Sequence, residues 1–129
     1  MIQLQLLLVA LTSLVSLLQA QATELPAFDV WLQDLAQCES QNNPNAVNPH
    51  DPVTRSRGLY QFKDKTWLQW TKRFNFYPDT WTDKQILEEI FDGHAQTVLV
   101  REMIREDYNN YKKWGCVVSG KVDKPPQSF

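Results

Sequence analysis

After a largely apolar start, the chain mixes polar with apolar residues from about residue 28. There the apolar side chains recur every three or four positions. These positions are Phe28, Trp31, Leu32, Leu35 and Ala36. Such spacing places side chains on one face of an α-helix. The pattern therefore predicts an amphipathic helix over Phe28–Ser40.

Two further patterns predict helices in the second half of the chain. The first helix is expected to use Asp64 as its N-cap and to run to about Phe74. The second is expected to begin at Thr82–Gln85, which has the form of a capping box. Its apolar run is interrupted at Asp92-Gly93 and resumes as far as Ile104. The fold class predicted is mostly α.

The segments between these patterns contain residues that interrupt helices. Gln41–Arg57 holds three X-Pro pairs, which disfavour helical backbone and predict a loop. Gly58–Phe62 is expected to be a short strand or a tight turn. Residues 119–129 include two adjacent prolines and are predicted to be a disordered tail. Residues 23–118 are then long enough for one compact domain with a modest core.

The first 22 residues contain no charged side chain, and Leu4–Leu18 is almost wholly apolar. Ala20-Gln21-Ala22 has the small-x-small form of a cleavage site, so residues 1–22 are interpreted as a secretory signal peptide. The segment lacks the usual Lys or Arg near its start, and an uncleaved membrane anchor is the alternative. The expected location is the periplasm or the cell exterior, with no stable membrane association after signal removal.

Charge and cysteine content narrow the possible partners. The net charge of −2 provides no overall nucleic-acid footprint. Six basic residues and a single acidic one lie between Arg55 and Arg73, which suits either an ordinary solvated face or a basic rim beside an anionic polymer. Two cysteines, Cys38 and Cys116, predict one disulfide in an exported protein, with two free thiols as the alternative. No metal or organic cofactor is expected, and a monomer is expected.

Glu39 is the candidate for chemistry. It lies four residues after Leu35, so it shares the apolar face of the predicted helix. Burial raises the pKa of a carboxyl group, and the negative end of a helix acts in the same direction. A carboxyl that keeps its proton near neutral pH suits general acid catalysis on an acetal. The alternative is an exposed glutamate, or one paired with Arg55 or Arg57.

The segment from Gly58 to Phe62 is the second candidate. Leu59 and Phe62 are expected in the core, while Tyr60 and Gln61 are expected to face a cleft where the amide of Gln61 would bind amino sugars. Aromatic rings of Tyr60, Trp67 or Trp70 are candidates for stacking on sugars. Core packing is the alternative for both tryptophans, and it is favoured for Trp70.

Several short motifs occur together in the order of a known family. Cys38-Glu39-Ser40, the Asn-Pro positions that follow, Gly58-Leu59-Tyr60-Gln61 and Thr66-Trp67 together resemble the lysozyme-like domain of soluble lytic transglycosylases. The cysteine in Trp114-Gly115-Cys116 makes the chain most similar to the resuscitation-promoting-factor branch. The resemblance covers about residues 31–116. Gln41-Asn42 stands where many members have Gly-Gly, and the later Ala-Tyr-Asn motif is missing.

The resemblance implies a lysozyme-like fold, peptidoglycan as the partner and substrate, association with the cell wall, and a role for each matching residue. Glu39 would be the catalytic acid/base, Gln61 would bind the glycan, and Tyr60 would border the same groove. Cys38 and Cys116 would form the disulfide that fastens the catalytic helix to the C-terminal part.

The type of cleavage depends on whether a second carboxylate faces Glu39. Hydrolysis normally uses two, and Asp51 and Asp64 are the nearby candidates. With Glu39 alone, the expected reaction is non-hydrolytic cleavage of the β-1,4 bond between N-acetylmuramic acid and N-acetylglucosamine, which yields a 1,6-anhydro product. A hydrolytic muramidase and a non-catalytic glycan-binding module are the alternatives.

Overall fold

A computed structural model describes residues 25–49 and 55–128, which form a helical array around one core. In order, the helices are α1 Ala27–Ser40, α2 Asp64–Arg73, α3 Asp83–Glu88, α4 Gly93–Glu106, a 3-10 helix Tyr108–Lys113 and α5 Gly115–Val118. Within these residues the β-structure is limited to isolated bridges from Arg57 to Val47 and to Phe62. The mostly α prediction is confirmed. The predicted signal peptide over residues 1–22 lies outside the described residues.

The ends of the helices show which capping predictions hold. Thr82 caps α3 in a complete capping box with Gln85, as predicted. Asp92 accepts a hydrogen bond from the Ala95 N–H, which starts α4 where the interruption was expected. The prediction for Asp64 was wrong, because α2 begins at Asp64 itself and Lys63 is the capping position. In the first helical turn a carboxylate still complements the helix dipole.

The core lies where α1, α2 and α4 meet. Its fully buried side chains include Leu35 of α1, Trp67 of α2, and Leu99, Val100 and Met103 of α4. The Trp67 indole N–H donates to the carbonyl of Ile86 at 3.0 Å, which satisfies the one polar atom of this buried ring. The ion pair between Asp29 and Arg101 holds α1 against α4, and α1 carries Glu39 in its last turn.

A disulfide joins Cys38 at the end of α1 to Cys116 in α5, with 6.3 Å between the two Cα atoms. The predicted pairing is confirmed. Because the cysteines are separated by 78 positions, the bond closes most of the domain into one loop. It also attaches the residue next to Glu39 to the C-terminal part of the chain.

The C-terminal segment is not the disordered tail that its composition predicted. Val122 is buried, and the Trp31 indole N–H donates to the carbonyl of Asp123 at 2.7 Å. The Tyr108 hydroxyl donates to the carbonyl of Pro125 at 2.6 Å. Backbone carbonyls accept hydrogen bonds from two aromatic side chains here, so a segment with two prolines is held in place without forming a helix. Among the described residues, no helix is both long and apolar enough to cross a membrane.

Candidate active site

A cleft of about 760 Å³ opens beside the C-terminal end of α1. Its walls come from the last turn of α1, the loop at residues 46–48, the turn at residues 58–62, the start of α2 and residues 113–115. Glu39 and Gln61 both line this cleft. The structure therefore brings together two residues that are 22 positions apart in sequence.

Glu39 is half-buried in the cleft. Its Oε1 accepts a hydrogen bond from the backbone N–H of Cys116 at 3.2 Å. Burial raises the pKa of the carboxyl above its ordinary value of 4.5, and the Cys116 N–H and the charge of Lys121 offset this rise in part. The group consequently retains its proton at higher pH than a solvated glutamate does.

Arg57, one of the two alternative partners proposed for Glu39, is engaged elsewhere. Arg57 Nη1 lies 3.6 Å from Asp64 Oδ1, at the start of α2. Glu39 is instead oriented by the main chain, because the disulfide at Cys38 holds the N–H of Cys116 against Oε1. One carboxylate oxygen is thus occupied by this N–H, and the other can interact with a ligand in the cleft.

Gln61 adopts a left-handed backbone conformation, with φ of +55°, at the end of the turn that Gly58 begins. Its amide nitrogen donates to the carbonyls of Gly58 at 3.0 Å and Ala46 at 3.4 Å. Both partners are acceptors, so the side-chain orientation is unambiguous. The amide oxygen is then the atom that Gln61 offers to a ligand, as an acceptor for a hydroxyl or an amide N–H.

The structure corrects the expected positions of two aromatic residues. Tyr60 is buried in the core with its hydroxyl next to Thr97, and it does not line the cleft. Trp67 is fully buried, so its ring has no face for a sugar. Trp70, for which core packing was favoured, is only half-buried. The spacing identified the face of α2, but it did not show which part of that face meets the cleft.

Gln96 is a structurally important residue that the sequence analysis missed. It is fully buried, and its Oε1 accepts from the Tyr60 N–H at 2.9 Å. Its Nε2 donates to the carbonyls of Arg57 at 3.0 Å and Ile90 at 2.6 Å. Gln96 thereby holds the backbone of the turn that presents Gln61. The signal was a polar residue on the apolar face of α4, three positions before Leu99 and four before Val100.

The charged residues between Arg55 and Arg73 do not form one continuous basic rim. Lys72 pairs with Asp83 at 2.5 Å, and Arg73 pairs with Glu106. Lys63 is the member of this set that lines the cleft, where Lys113 joins it from a distant part of the sequence. The cleft is therefore lined by two lysines and one carboxylate among the described residues.

A second carboxylate is not found on the described walls of the cleft. Asp64 is paired with Arg57, and Asp51 lies outside the described residues. Residues 25–49 and 55–128 also contain no group of three or more His, Cys, Asp or Glu side chains arranged to hold a metal ion. Within the described structure, Glu39 is the single acidic group of the site.

Comparisons with known proteins provide no family assignment. No protein-family model, curated protein or solved structure matches this chain.

Proposed function

We propose that this protein cleaves the β-1,4 glycosidic bond between N-acetylmuramic acid and N-acetylglucosamine in peptidoglycan. The observation that carries the proposal is Glu39, a half-buried carboxyl with a raised pKa on the wall of a large cleft. The short motifs shared with soluble lytic transglycosylases support the same substrate. The disulfide fits an oxidising compartment such as the cell wall.

In the first step the Glu39 carboxyl donates its proton to the glycosidic oxygen while the bond from that oxygen to C1 of the muramic residue breaks. The acetamido oxygen of the muramic residue bonds to C1 and stabilises the positive charge that develops there. The N-acetylglucosamine side leaves with a free 4-hydroxyl. Glu39 is then a carboxylate, and the Cys116 N–H stabilises its negative charge.

In the second step the Glu39 carboxylate takes the proton from the 6-hydroxyl of the muramic residue. The O6 atom attacks C1, the acetamido oxygen leaves, and a 1,6-anhydro ring forms without consuming water. This route needs one carboxylate, which agrees with the single acidic group on the described walls of the cleft. Gln61 contributes by accepting a hydrogen bond from a sugar hydroxyl or acetamido N–H and so orients the glycan.

The test uses purified oxidised protein and isolated peptidoglycan sacculi, with soluble glycan fragments measured over time. Wild type is expected to release fragments, and Glu39→Gln is expected to lower the rate at least about 100-fold because it removes the proton donor. Gln is nearly isosteric with Glu and can still accept from the Cys116 N–H, so the fold should persist. Equal release by both proteins, or release by neither, would overturn the proposal.

A further inference from the structure

Aromatic side chains continue along α2 away from the cleft. Thr66 lines the cleft, Trp70 follows four positions later, and Phe74 lies four positions beyond Trp70. Residues at this spacing are neighbours on one helix face. The Trp70 and Phe74 rings are stacked, with 5.8 Å between their centroids. Trp70 does not itself line the cleft, but its half-buried ring lies one helical turn beyond Thr66, which does.

Lys113 connects this aromatic surface to the cleft. Its side chain is exposed and lines the cleft, and its Nζ lies 5.8 Å from the centroid of the Trp70 ring. Arg73 also approaches Trp70, but its guanidinium is held by two hydrogen-bonding oxygens of Glu106. No described carboxylate forms a salt bridge with Lys113. Its ammonium can therefore pair with an anionic group of a ligand that is bound along the cleft.

The pairing of an aromatic face with an ammonium group selects a particular ligand chemistry. A stacked ring favours the apolar face of a sugar or an aliphatic group, while the ammonium favours a carboxylate. We propose that Trp70 and Lys113 form a subsite for a carboxylate-bearing substituent of the glycan strand. The inference rests on the proposed function and specifies its substrate class as an anionic glycan. In peptidoglycan the carboxylate comes either from the stem peptide or from the free lactyl group of a muramic residue.

Binding measurements separate this subsite from catalysis. Every variant carries Glu39→Gln so that the ligand stays intact, and affinity is measured for three purified glycan oligomers of equal length. The first bears stem peptides, the second has been treated with an amidase and bears lactyl carboxylates, and the third is a neutral chitooligosaccharide. Lys112 is exposed and does not line the cleft, so Lys112→Gln makes the same charge change at the neighbouring position.

Lys113→Gln is expected to weaken binding of a carboxylate-bearing oligomer about 3- to 10-fold, the range of a charge-assisted contact at a partly exposed site. Binding of the neutral oligomer should not change, Lys112→Gln should affect none of the three, and Lys113→Arg should retain the preference. Loss with the peptide-bearing oligomer alone identifies the stem peptide as the source, and loss with the amidase-treated oligomer alone identifies the lactyl group. Loss with both shows that the subsite accepts a carboxylate of either origin. Trp70→Leu should weaken all three, because stacking does not depend on ligand charge.

The subsite is overturned if Lys113→Gln leaves all three affinities unchanged, lowers them equally, or acts no differently from Lys112→Gln. Unchanged affinities in Trp70→Leu would show that the Trp70 ring is not part of the subsite. These results are independent of cleavage. Release of fragments from sacculi without Lys113-dependent binding would leave the proposed function intact. Lys113-dependent binding with no release by wild type would leave the subsite and exclude the cleavage.

Discussion

Adding a single methyl group at Gly58 should strongly destabilise the turn that presents Gln61. The φ of Gly58 is +82°, and a Cβ added there would lie 2.2 Å from Gln96 Nε2 and 2.9 Å from Gln96 Oε1. Gly58→Ala therefore imposes two costs. The left-handed backbone is unfavourable for alanine by about 1–2 kcal/mol. The Gln96 amide must also move away from the carbonyls and N–H that it holds.

The second cost follows from the bonds that Gln96 makes. Its amide is bonded to the Tyr60 N–H and to the carbonyls of Arg57 and Ile90. A buried polar group left without its partner costs about 1–3 kcal/mol. Displacement that breaks two of the three bonds adds about 2–6 kcal/mol to the backbone cost. Typical domains are stable by about 5–15 kcal/mol, so the variant should be strongly destabilised.

Gly120 provides a matched control for the backbone cost. Its φ is +79°, and an added Cβ would meet no atom within 4 Å. Urea unfolding followed by tryptophan fluorescence should show that Gly120→Ala loses about 1 kcal/mol. Gly58→Ala should lose at least about 2 kcal/mol more, through the displaced amide of Gln96.

A double-mutant cycle tests whether Gln96 is the cause. In a Gln96→Ala background the added methyl group has space, so Gly58→Ala should then cost about as much as Gly120→Ala. Equal losses for the two glycine variants in the native background would refute the reasoning. An undiminished loss at Gly58 in the Gln96→Ala background would refute it as well.

Three further predictions concern the disulfide, Glu39 and the C-terminal segment. Replacing both Cys38 and Cys116 by alanine should lower the free energy of unfolding by up to about 4.5 kcal/mol in the chain-entropy model, and an unchanged urea midpoint would contradict this. Since the pKa of Glu39 is raised in the folded protein, its stabilising protonated form is lost as pH rises through that pKa. The Tm of Glu39→Gln minus the Tm of wild type should therefore increase from pH 4 to pH 8. A Tm difference that does not change with pH would contradict the raised pKa. Trp31→Phe removes the donor to the Asp123 carbonyl, so amide hydrogen exchange near residue 123 should accelerate while α1 stays protected.

The positions of the helices followed from local sequence signals. The apolar spacing over residues 28–40 and the capping box at Thr82 depend only on neighbours within one or two helical turns, and both were found where they were expected. Glu39 faces the cleft for the same reason, since it continues the apolar face of α1. The assignment of Asp64 as an N-cap failed by one position, because Lys63 takes the extended backbone conformation that precedes α2.

The features that sequence did not reveal depend on contacts between distant segments. Trp67 and Trp70 both lie on α2, but Trp67 is the one enclosed, by contacts with Phe62 and with the Ile86 carbonyl of α3. The C-terminal segment is ordered by the side chains of Trp31 and Tyr108, which donate to its carbonyls. Lys113 reaches the cleft from a segment about 50 positions after Lys63, so no local charge pattern identified it.

The central claim is that the Glu39 carboxylate, in the second step, accepts a proton from a sugar hydroxyl rather than from water. Mass spectrometry of the fragments released from sacculi tests this directly, because the 1,6-anhydro product is lighter by one water than the hydrolytic product. We expect anhydro-muramic ends from wild type and at least about 100-fold fewer of them from Glu39→Gln in the same time. Muramic acid with a free reducing end as the main product would contradict the account.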